Sequence, residues 1–444
     1  MNTLVRLVMV SGAVALASAH GETTGRAEEL LVSTAGAAPV KEAVTASNDF
    51  AVDLYRQLSR ENDGKNLFFS PYSMSVALAM TAEGARCETA LEMGKVLRFP
   101  EAARQLGDDA QLIPWNTAVI HAGMSALHDR YNPKPVTPEI REKMAGLREA
   151  LAESNRRVDE LMAGKKWDEV GEARQTSNRL AGELSALSSQ VEQYELRVAN
   201  CLWGEQTYPF VKAYLDTIAT HYRNGLRKVD FRSRFDAVRQ EINAWAEERT
   251  SGRIKDLLAQ GSLDKDTSLV LVNAVYFKGD WSVPFDATAT RPEEFLAVGA
   301  RKVSVPMMHK DRLMGGRYGA FNADGSPFAT PQRARNSTDA KTLYPDAGGF
   351  LVAELPYKGD ELSMVVIAPQ AADGLKAVEE KLNGETLANW LGTLESREVN
   401  VRLPKFKLEA SYPKMKDTLQ AMGMVRAFTD PRDQEKGAQF DGMC

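Results

Sequence analysis

The side chains of this chain that could support acid–base or metal chemistry are few and scattered. His121 and His128 lie seven residues apart, a spacing that can place both on one face of a helix. No third ligand or flanking carboxylate pattern accompanies them, and His221 and His309 are isolated in the sequence. We therefore expect ordinary surface or half-buried histidines, and neither a metal ion nor another cofactor.

The cysteines and the motif inventory also argue against catalysis. Cys87, Cys201 and Cys444 show no C-x-x-C spacing, which favours small core residues at Cys87 and Cys201 and leaves one disulfide open. The chain contains no G-x-S-x-G elbow, no H-E-x-x-H helix, no Walker loop and no G-x-G-x-x-G turn. With no catalytic residues to name, the sequence predicts a protein that is not an enzyme.

One amide within an apolar run is a different kind of signal. Asn273 lies among nine apolar residues between Leu269 and Trp281, and the run is closed by Lys278-Gly279-Asp280. This pattern predicts a strand that is buried on both faces in the middle of a large sheet. Burying the amide without hydrogen bonds would cost about 1–3 kcal/mol, so hydroxyl groups should converge on it.

The hydroxyls that could meet this amide precede a second apolar run. Ser70 and Pro71 follow the strand-like Leu67-Phe68-Phe69, with the serine at the N-cap and the proline at the first position of a helix. The helix is apolar nearly all round and must therefore be buried. Ser70 and Ser73 lie at its first turn, and we expect both to face Asn273.

Composition and the N-terminus define the class of protein. The 444 residues are 43% hydrophobic and 26% charged, with a net charge of −5, which is typical of a soluble globular protein that does not bind nucleic acid. Residues 1–19 form a short apolar stretch that ends in Ala17-Ser18-Ala19, as a secretory signal peptide does. We expect export, extracellular in a eukaryote or periplasmic or secreted in a bacterium, without a membrane anchor after cleavage.

The remaining chain is predicted to form a flexible segment over 20–46 and one domain over 47–444 with two insertions. Residues 132–189 repeat apolar side chains every three or four positions around a break at Gly164-Lys165-Lys166, which indicates two antiparallel helices. This insertion could be a solvated hairpin that packs on itself or an arm that binds a partner. Residues 321–347 are rich in Gly, Pro, Asn and Ser and are predicted to be a loop.

The remaining elements are predicted from local patterns. They are helices at Asn48–Leu58, Ala237–Leu258 and Met415–Met422, strands at Tyr194–Trp203, Arg301–Met308 and Val399–Leu408, and a hairpin of Gly349–Pro356 with Glu361–Pro369. Helices come early and strands late, which favours an α+β fold around one large sheet.

Several motifs, taken together and in order, resemble the serpins, the suicide inhibitors of serine proteases. They are Phe68-Phe69-Ser70-Pro71-Tyr72-Ser73, Thr250-Ser251-Gly252-Arg253-Ile254, Asn273-Ala274-Val275-Tyr276-Phe277-Lys278-Gly279-Asp280-Trp281 with Phe285, Val305-Pro306-Met307-Met308, Glu354-Leu355-Pro356-Tyr357-Lys358-Gly359, Leu403-Pro404-Lys405-Phe406 and Phe440-Asp441-Gly442-Met443. The resemblance runs from about Asn48 to Cys444, interrupted by the two insertions.

The resemblance implies a serpin-like α+β fold with a large central, mostly antiparallel sheet and flanking helices, to which an inserted helical hairpin is added. It also implies an inhibitory cycle in which a cleaved reactive loop inserts into the main sheet as an extra strand. By resemblance, Ser70, Ser73 and Asn273 match the shutter, the polar cluster beneath the point where the sheet parts. Trp281 matches the aromatic residue of the breach, where insertion begins.

The chain departs from the family pattern at its end, because the family's next central strand, hinge and reactive loop would follow Met443. We expect a fragment, incomplete at the C-terminus, and no reactive bond can be assigned. The leading hypothesis is a secreted, monomeric serpin whose complete form inhibits a serine protease or, as a lesser alternative, a cysteine protease. The competing hypothesis is a non-inhibitory carrier or chaperone that docks partners on the helical insertion.

Overall fold

The architecture was analysed in a computed structural model of the chain. It describes residues 37–106, 111–131, 137–188, 194–222, 225–297, 301–313, 315–328, 345, 348–359, 361–408, 410, 412, 414–430, 433 and 435–443. The predicted signal peptide of residues 1–19, most of the predicted loop 321–347 and Cys444 lie outside the described residues.

Helices dominate the first half of the described chain and strands the second. The helices are α1 (Ala37–Glu61), α2 (Pro71–Ala82), α3 (Cys87–Val96), α4 (Ala118–Tyr131), α5 (Pro138–Ala163), α6 (Trp167–Ser188), α7 (Lys212–His221), α8 (Phe231–Arg249), α9 (Leu375–Glu379), α10 (Gly384–Gly392) and α11 (Met415–Ala421). The strands are β1 (Tyr194–Glu205), β2 (Leu226–Val229), β3 (Leu269–Gly279), β4 (Arg291–Ala297), β5 (Arg301–Leu313), β6 (Arg317–Phe321), β7 (Phe350–Pro356), β8 (Ser363–Pro369), β9 (Glu395–Ser396) and β10 (Val399–Pro404). The predicted α+β class is confirmed.

Three sheets are formed within the described ranges. Their strand orders are β2-β1-β3, β10-β5-β4 and β8-β7-β6-β9. β1 pairs with β3 antiparallel along the whole of β3, whereas β1 pairs with β2 in parallel. The predicted hairpin is confirmed, because β7 and β8 pair antiparallel on either side of Tyr357-Lys358-Gly359.

The predicted position of β3 in the middle of a sheet is wrong for the described residues. β3 is an edge strand that pairs with β1 on one side, and the large central sheet is represented here by three strands. Most of its side chains, including Asn273, are therefore only half-buried, while Val272 and Ala274 are buried. Apolar composition predicted burial correctly on one face, but it carries no information about which strand lies next to β3.

The β1–β3 pair is covered by a helix on each face. Cys201 and Val272 belong to the face that packs against α8, where they meet Ile242 and Trp245. The opposite face contributes to the main core, in which α2 packs against both strands. Side chains alternate between the two faces of a strand, so the even-numbered residues of β1 and the odd-numbered residues of β3 point towards α2.

One buried carboxylate attaches α8 to the end of β1. Glu205, 2% exposed, accepts hydrogen bonds from the backbone N–H groups of Phe231 (2.8 Å) and Arg232 (3.3 Å) at the start of α8. It also accepts from the Thr207 hydroxyl at 2.8 Å. A carboxylate at a helix N-terminus satisfies otherwise unpaired N–H groups and interacts favourably with the helix dipole, so Glu205 fixes α8 on the sheet.

The predicted flexible segment 20–46 is corrected for its last ten residues, because α1 begins at Ala37 and not at Asn48. Ala43 and Ala46 are buried in line with Phe50, at helical spacing. Their small side chains concealed the amphipathic pattern in the sequence. They are buried because α4 packs closely against α1 at Gly123.

The predicted helical hairpin is confirmed. α5 and α6 are joined by Gly164, Lys165 and Lys166 and pack along each other, with Met144, Val158, Leu161 and Val170 buried between them. A hydrogen bond of 2.8 Å between the hydroxyls of Ser154 and Ser177 also crosses the hairpin. Residues 132–136 and 189, at the two ends of the predicted insertion, lie outside the described residues.

A helix was predicted at Ala237–Leu258. The observed helix, α8, spans Phe231–Arg249 and therefore begins and ends earlier than predicted. Ser251 and Gly252 have left-handed backbone conformations (φ 52° and 74°), which terminate the helix. The Asn243 side chain then bonds both the N–H (2.8 Å) and the carbonyl (3.0 Å) of Leu258, so this segment folds back beside α8 instead of extending it.

The contact between α1 and α4 generates a test of the corrected start of α1. A Cβ on Gly123 would lie 2.3 Å from the Pro39 carbonyl oxygen and 2.6 Å from the Ala43 Cβ, whereas a Cβ on Gly146 in α5 meets nothing within 4 Å. Gly123→Ala should lower the free energy of unfolding by about 1–3 kcal/mol through overpacking, and Gly146→Ala should raise it by up to about 1 kcal/mol. Urea denaturation measures both, and equal effects would contradict the described packing of residues 39–43.

Candidate functional site

The Asn273 amide lies where a helix and two strands meet. Asn273 of β3 is directly opposite Asn200 of β1 in the strand register. Its Nδ2 donates to the Ser73 Oγ from α2 and to the Asn200 Oδ1. Ser73 is fully buried and Asn200 is 6% exposed, so water does not compete for these groups. We call Ser73, Asn200 and Asn273 the amide cluster.

Ser70 does not join this cluster, and its predicted contact with Asn273 is wrong. The helix begins at Pro71 as predicted, but Ser70 has an extended backbone (φ −109°, ψ 99°) and its hydroxyl makes no capping hydrogen bond. If both residues belonged to the helix, their spacing of three would place Ser70 and Ser73 on the same face. Because Ser70 lies outside the helical backbone, its side chain takes a different direction from that of Ser73.

Asn200 is the member of the cluster that sequence reasoning missed. It is a single amide in the apolar sequence Val198-Ala199-Asn200-Cys201-Leu202, which is the same signal that identified Asn273. The strand register needed to pair the two amides is set by the fold and could not be obtained from either strand alone.

Trp281 lies just beyond β3 in an aromatic cluster. Its ring stacks on Tyr357 with centroids 4.7 Å apart and meets the Phe285 ring edge-on at 5.8 Å. Tyr357 in turn meets Phe277 of β3 edge-on at 5.0 Å. Burial raises the pKa of Tyr357 to about 12, so its hydroxyl stays protonated. The aromatic cluster thus closes the C-terminal end of β3 against the β7–β8 hairpin.

Gly279 makes this closure sterically feasible. A Cβ at position 279 would lie 2.8 Å from ring atoms of both Tyr357 and Phe277. Any side chain would therefore push the aromatic rings away from the end of β3. The glycine of the Lys278-Gly279-Asp280 sequence is explained by this close approach.

The edge of β3 is the chemically distinctive surface of the site. On the side away from β1, its backbone N–H and C=O groups have no strand partner among the described residues. An unpaired strand edge can accept another strand by main-chain hydrogen bonds, and exposed edges are otherwise an aggregation hazard. The amide cluster lies beneath the middle of this edge, and the aromatic cluster lies at its end.

A second polar cluster joins α2, α4 and α7. His121, 1% exposed, places Nε2 2.9 Å from the Glu83 Oε2 and Nδ1 2.6 Å from the Tyr222 hydroxyl. Thr117 donates to the same Glu83 oxygen at 2.6 Å, and the His221 ring stacks on His121 at 5.7 Å. An ionised carboxylate only accepts, so the Nε2 of His121 donates to Glu83.

The expectation of surface or half-buried histidines thus fails for His121 and His309, which are both buried, and His221 is not isolated in the fold. Burial alone would raise the pKa of Glu83, but its hydrogen bonds to His121 and Thr117 hold that pKa below the ordinary value. Burial and the neighbouring His121 lower the pKa of His221, opposed by Glu83. His121 and His221 are 100 positions apart in the sequence, so no local pattern could have paired them.

Metal and thiol chemistry find no support in the described part of the chain. No group of three or more His, Cys, Asp or Glu side chains there could hold a metal ion. Cys87 and Cys201 are both free thiols, and burial raises the pKa of Cys201 to about 11, which keeps it unreactive. None of the helices in the described ranges is long and apolar enough to span a membrane.

Comparison with known proteins defines the class to which this fold and site belong. Residues 45–439 match the family model described as Serpin (serine protease inhibitor). Human Serpin B4 is 33% identical over 391 residues, which are 87% of this chain and 79% of Serpin B4. The leukocyte elastase inhibitor of Xenopus laevis is 30% identical over 86% of this chain and 77% of its own length. The structure of emu ovalbumin superposes with a TM-score of 0.64 at 26% identity, covering 90% of this chain and 81% of the ovalbumin chain.

The fold is therefore that of the serpins, and the chain belongs to the serpin family. Serpins are protease inhibitors or binding proteins and not enzymes, and the relatives of this chain include a named protease inhibitor. The predictions of family, fold class and absence of enzymatic activity are confirmed.

The amide cluster generates a test that separates two serines three residues apart. Ser73→Ala removes a buried partner of Asn273 and should lower the free energy of unfolding by about 1–3 kcal/mol. Ser70→Ala removes a hydroxyl that neither caps α2 nor meets Asn273, and should change it by less than about 0.5 kcal/mol. Urea denaturation of both variants provides the comparison. Equal losses would contradict the described geometry.

The lowered pKa of His221 generates a prediction about acid stability. The unfolded chain binds a proton at this histidine more readily than the folded chain, so stability falls as the pH drops below about 6.5 towards the lower folded pKa. Glu83, whose folded pKa is also lowered, adds a further loss at more acidic pH. His221→Gln should therefore show a smaller fall in melting temperature between about pH 7.5 and pH 5 than the wild type. A His221→Gln profile parallel to the wild type would refute the role of this cluster.

Proposed function

We propose that this chain belongs to a protease inhibitor that traps a protease by inserting a cleaved reactive loop beside β3. The observation that carries this proposal is the amide cluster beneath the edge of β3 that has no strand partner among the described residues. Membership of a family described as serine protease inhibitors supports it.

The described contacts suggest how the site would act. Ser73, Asn200 and Asn273 hold α2 against β1 and β3 through buried hydrogen bonds, so the edge stays in place when a strand arrives. We assign these three residues to the shutter, with Ser70 at its margin as the family motif implies. Trp281, stacked on Tyr357 at the end of β3, is assigned to the breach at which the strand enters.

The target is proposed to be a serine protease, with a cysteine protease as the alternative. The name of the leukocyte elastase inhibitor, a relative at 30% identity, supports a serine protease. The cycle needs no cofactor, because the energy would come from pairing the new strand with β3. We further propose that the inhibitor acts as a monomer.

The covalent trap can be tested directly with a form of the protein that carries the reactive loop. Incubation with a trypsin-like and a chymotrypsin-like serine protease should give a complex that survives denaturing gel electrophoresis, and papain tests the cysteine-protease alternative. Trapping depends on the backbone N–H groups of β3 that point away from β1, so Leu271→Pro or Val275→Pro should abolish it while α5 and α6 remain folded. Cleavage without any stable complex would overturn the inhibitory proposal.

Export is proposed from residues 1–19, whose Ala17-Ser18-Ala19 sequence fits a signal-peptidase site. The protein recovered from the medium or periplasm should begin at His20. Edman sequencing or mass spectrometry of its N-terminus measures this. A product that retains Met1 and stays in the cytoplasm would contradict export.

A second candidate function is partner binding or chaperoning by the α5–α6 hairpin. The observation that favours it is the tip of the hairpin, where Trp167 is 63% exposed beside the exposed Met162. Large exposed aromatic side chains are enriched at protein interfaces. Replacing residues 138–188 with a short linker should leave protease trapping intact under the first proposal, whereas it should abolish partner binding under the second.

A further inference from the structure

A polar cavity of about 570 Å³ lies between α1, the end of α3 and the turn after α11. None of its lining residues belongs to β1, β3 or the aromatic cluster. Charged side chains dominate its wall, with four cations and two carboxylates: Arg56, Arg60, Lys95, Arg98, Asp53 and Glu92. The volume falls within the range of about 300–1,000 Å³ that is typical of small-molecule sites.

Both carboxylates of the cavity are already engaged by the protein. The Asp53 Oδ2 lies 2.6 Å from the Arg98 Nε, so these two charges neutralise each other. The Glu92 Oε2 accepts the backbone N–H groups of Val425 (2.8 Å) and Arg426 (2.7 Å). Neither carboxylate forms an ion pair with Arg56, Arg60 or Lys95, and the four cations and two carboxylates give the cavity a net positive charge.

Three cations remain without a carboxylate partner among the described residues. Arg60 and Lys95 are exposed and form no ion pair there. Arg56 donates one N–H to the Leu382 carbonyl at 2.7 Å, which leaves further donors of its guanidinium group. Arg56 and Arg60 are one helical turn apart on α1, so both face the same side of the helix.

We infer that this cavity binds a compact anion that carries two or more phosphate groups. Arginine presents a planar fork that matches phosphate oxygens bidentately, and lysine adds a point charge. A ligand with several phosphates offers a separate anionic group to each of the cations on α1 and α3. This binding goes beyond protease trapping, because its residues lie outside the site around β3.

Tripolyphosphate is a suitable probe, and isothermal titration calorimetry at low ionic strength detects its binding without any protease. The test variant is Arg60→Glu/Lys95→Glu, since both side chains are exposed and lack ion-pair partners among the described residues. The matched control is Arg148→Glu/Arg157→Glu, which makes the same change in net charge on exposed residues of α5. A thermal melt of each variant verifies that it is folded.

The wild type and the control should bind tripolyphosphate alike, and the test variant should bind about tenfold more weakly or not at all, because two attractive contacts become repulsive. Absence of binding to the folded wild type would overturn the inference. So would equal weakening in both variants, which would indicate only a response to net charge, or equal affinity for orthophosphate and tripolyphosphate. The titration contains no protease, so its outcome is independent of whether the protein traps a protease.

Discussion

The structure around β3 depends on one hydrogen-bonded amide. Asn273 donates to a hydroxyl from α2 and to an amide from β1, and thereby joins a buried helix to two strands. Leaving any of these groups buried without a partner would cost about 1–3 kcal/mol, so the three elements are held in one arrangement. A polar contact is used here where an apolar side chain would pack, and it supports a strand whose outer edge has no strand partner among the described residues.

The surrounding elements can be understood as the support for that edge. Glu205 fixes α8 on one face of the β1–β3 pair, and the main core with α2 covers the other. At the end of β3, Gly279 allows the aromatic rings of Trp281 and Tyr357 to close over the backbone. Both faces of the sheet are therefore covered, while the described part of the chain places no strand beside the outer edge of β3, which is the geometry that strand addition requires.

Sequence patterns within a single element were sufficient to predict structure that depends on neighbouring residues. Ser70 and Pro71 marked the start of α2, and apolar spacing with a Gly164 break described the hairpin of α5 and α6. The failures concern information that is not local. Three features depend on chain topology. They are the partner strands of β3, the register that pairs Asn200 with Asn273, and the stacking of His121 on His221. Ser70 failed for a different reason, because the extended backbone at the N-cap redirects its side chain.

The central claim is that the edge of β3 receives an additional strand, and amide hydrogen exchange along β3 tests it most directly. In a form of the protein that carries the reactive loop, exchange at Val270 to Phe277 should be measured before and after proteolytic cleavage of that loop. Insertion predicts that the β3 amides that point away from β1 become more strongly protected after cleavage, while the amides paired with β1 change little. Unchanged exchange at these positions in a fully cleaved protein would contradict the account.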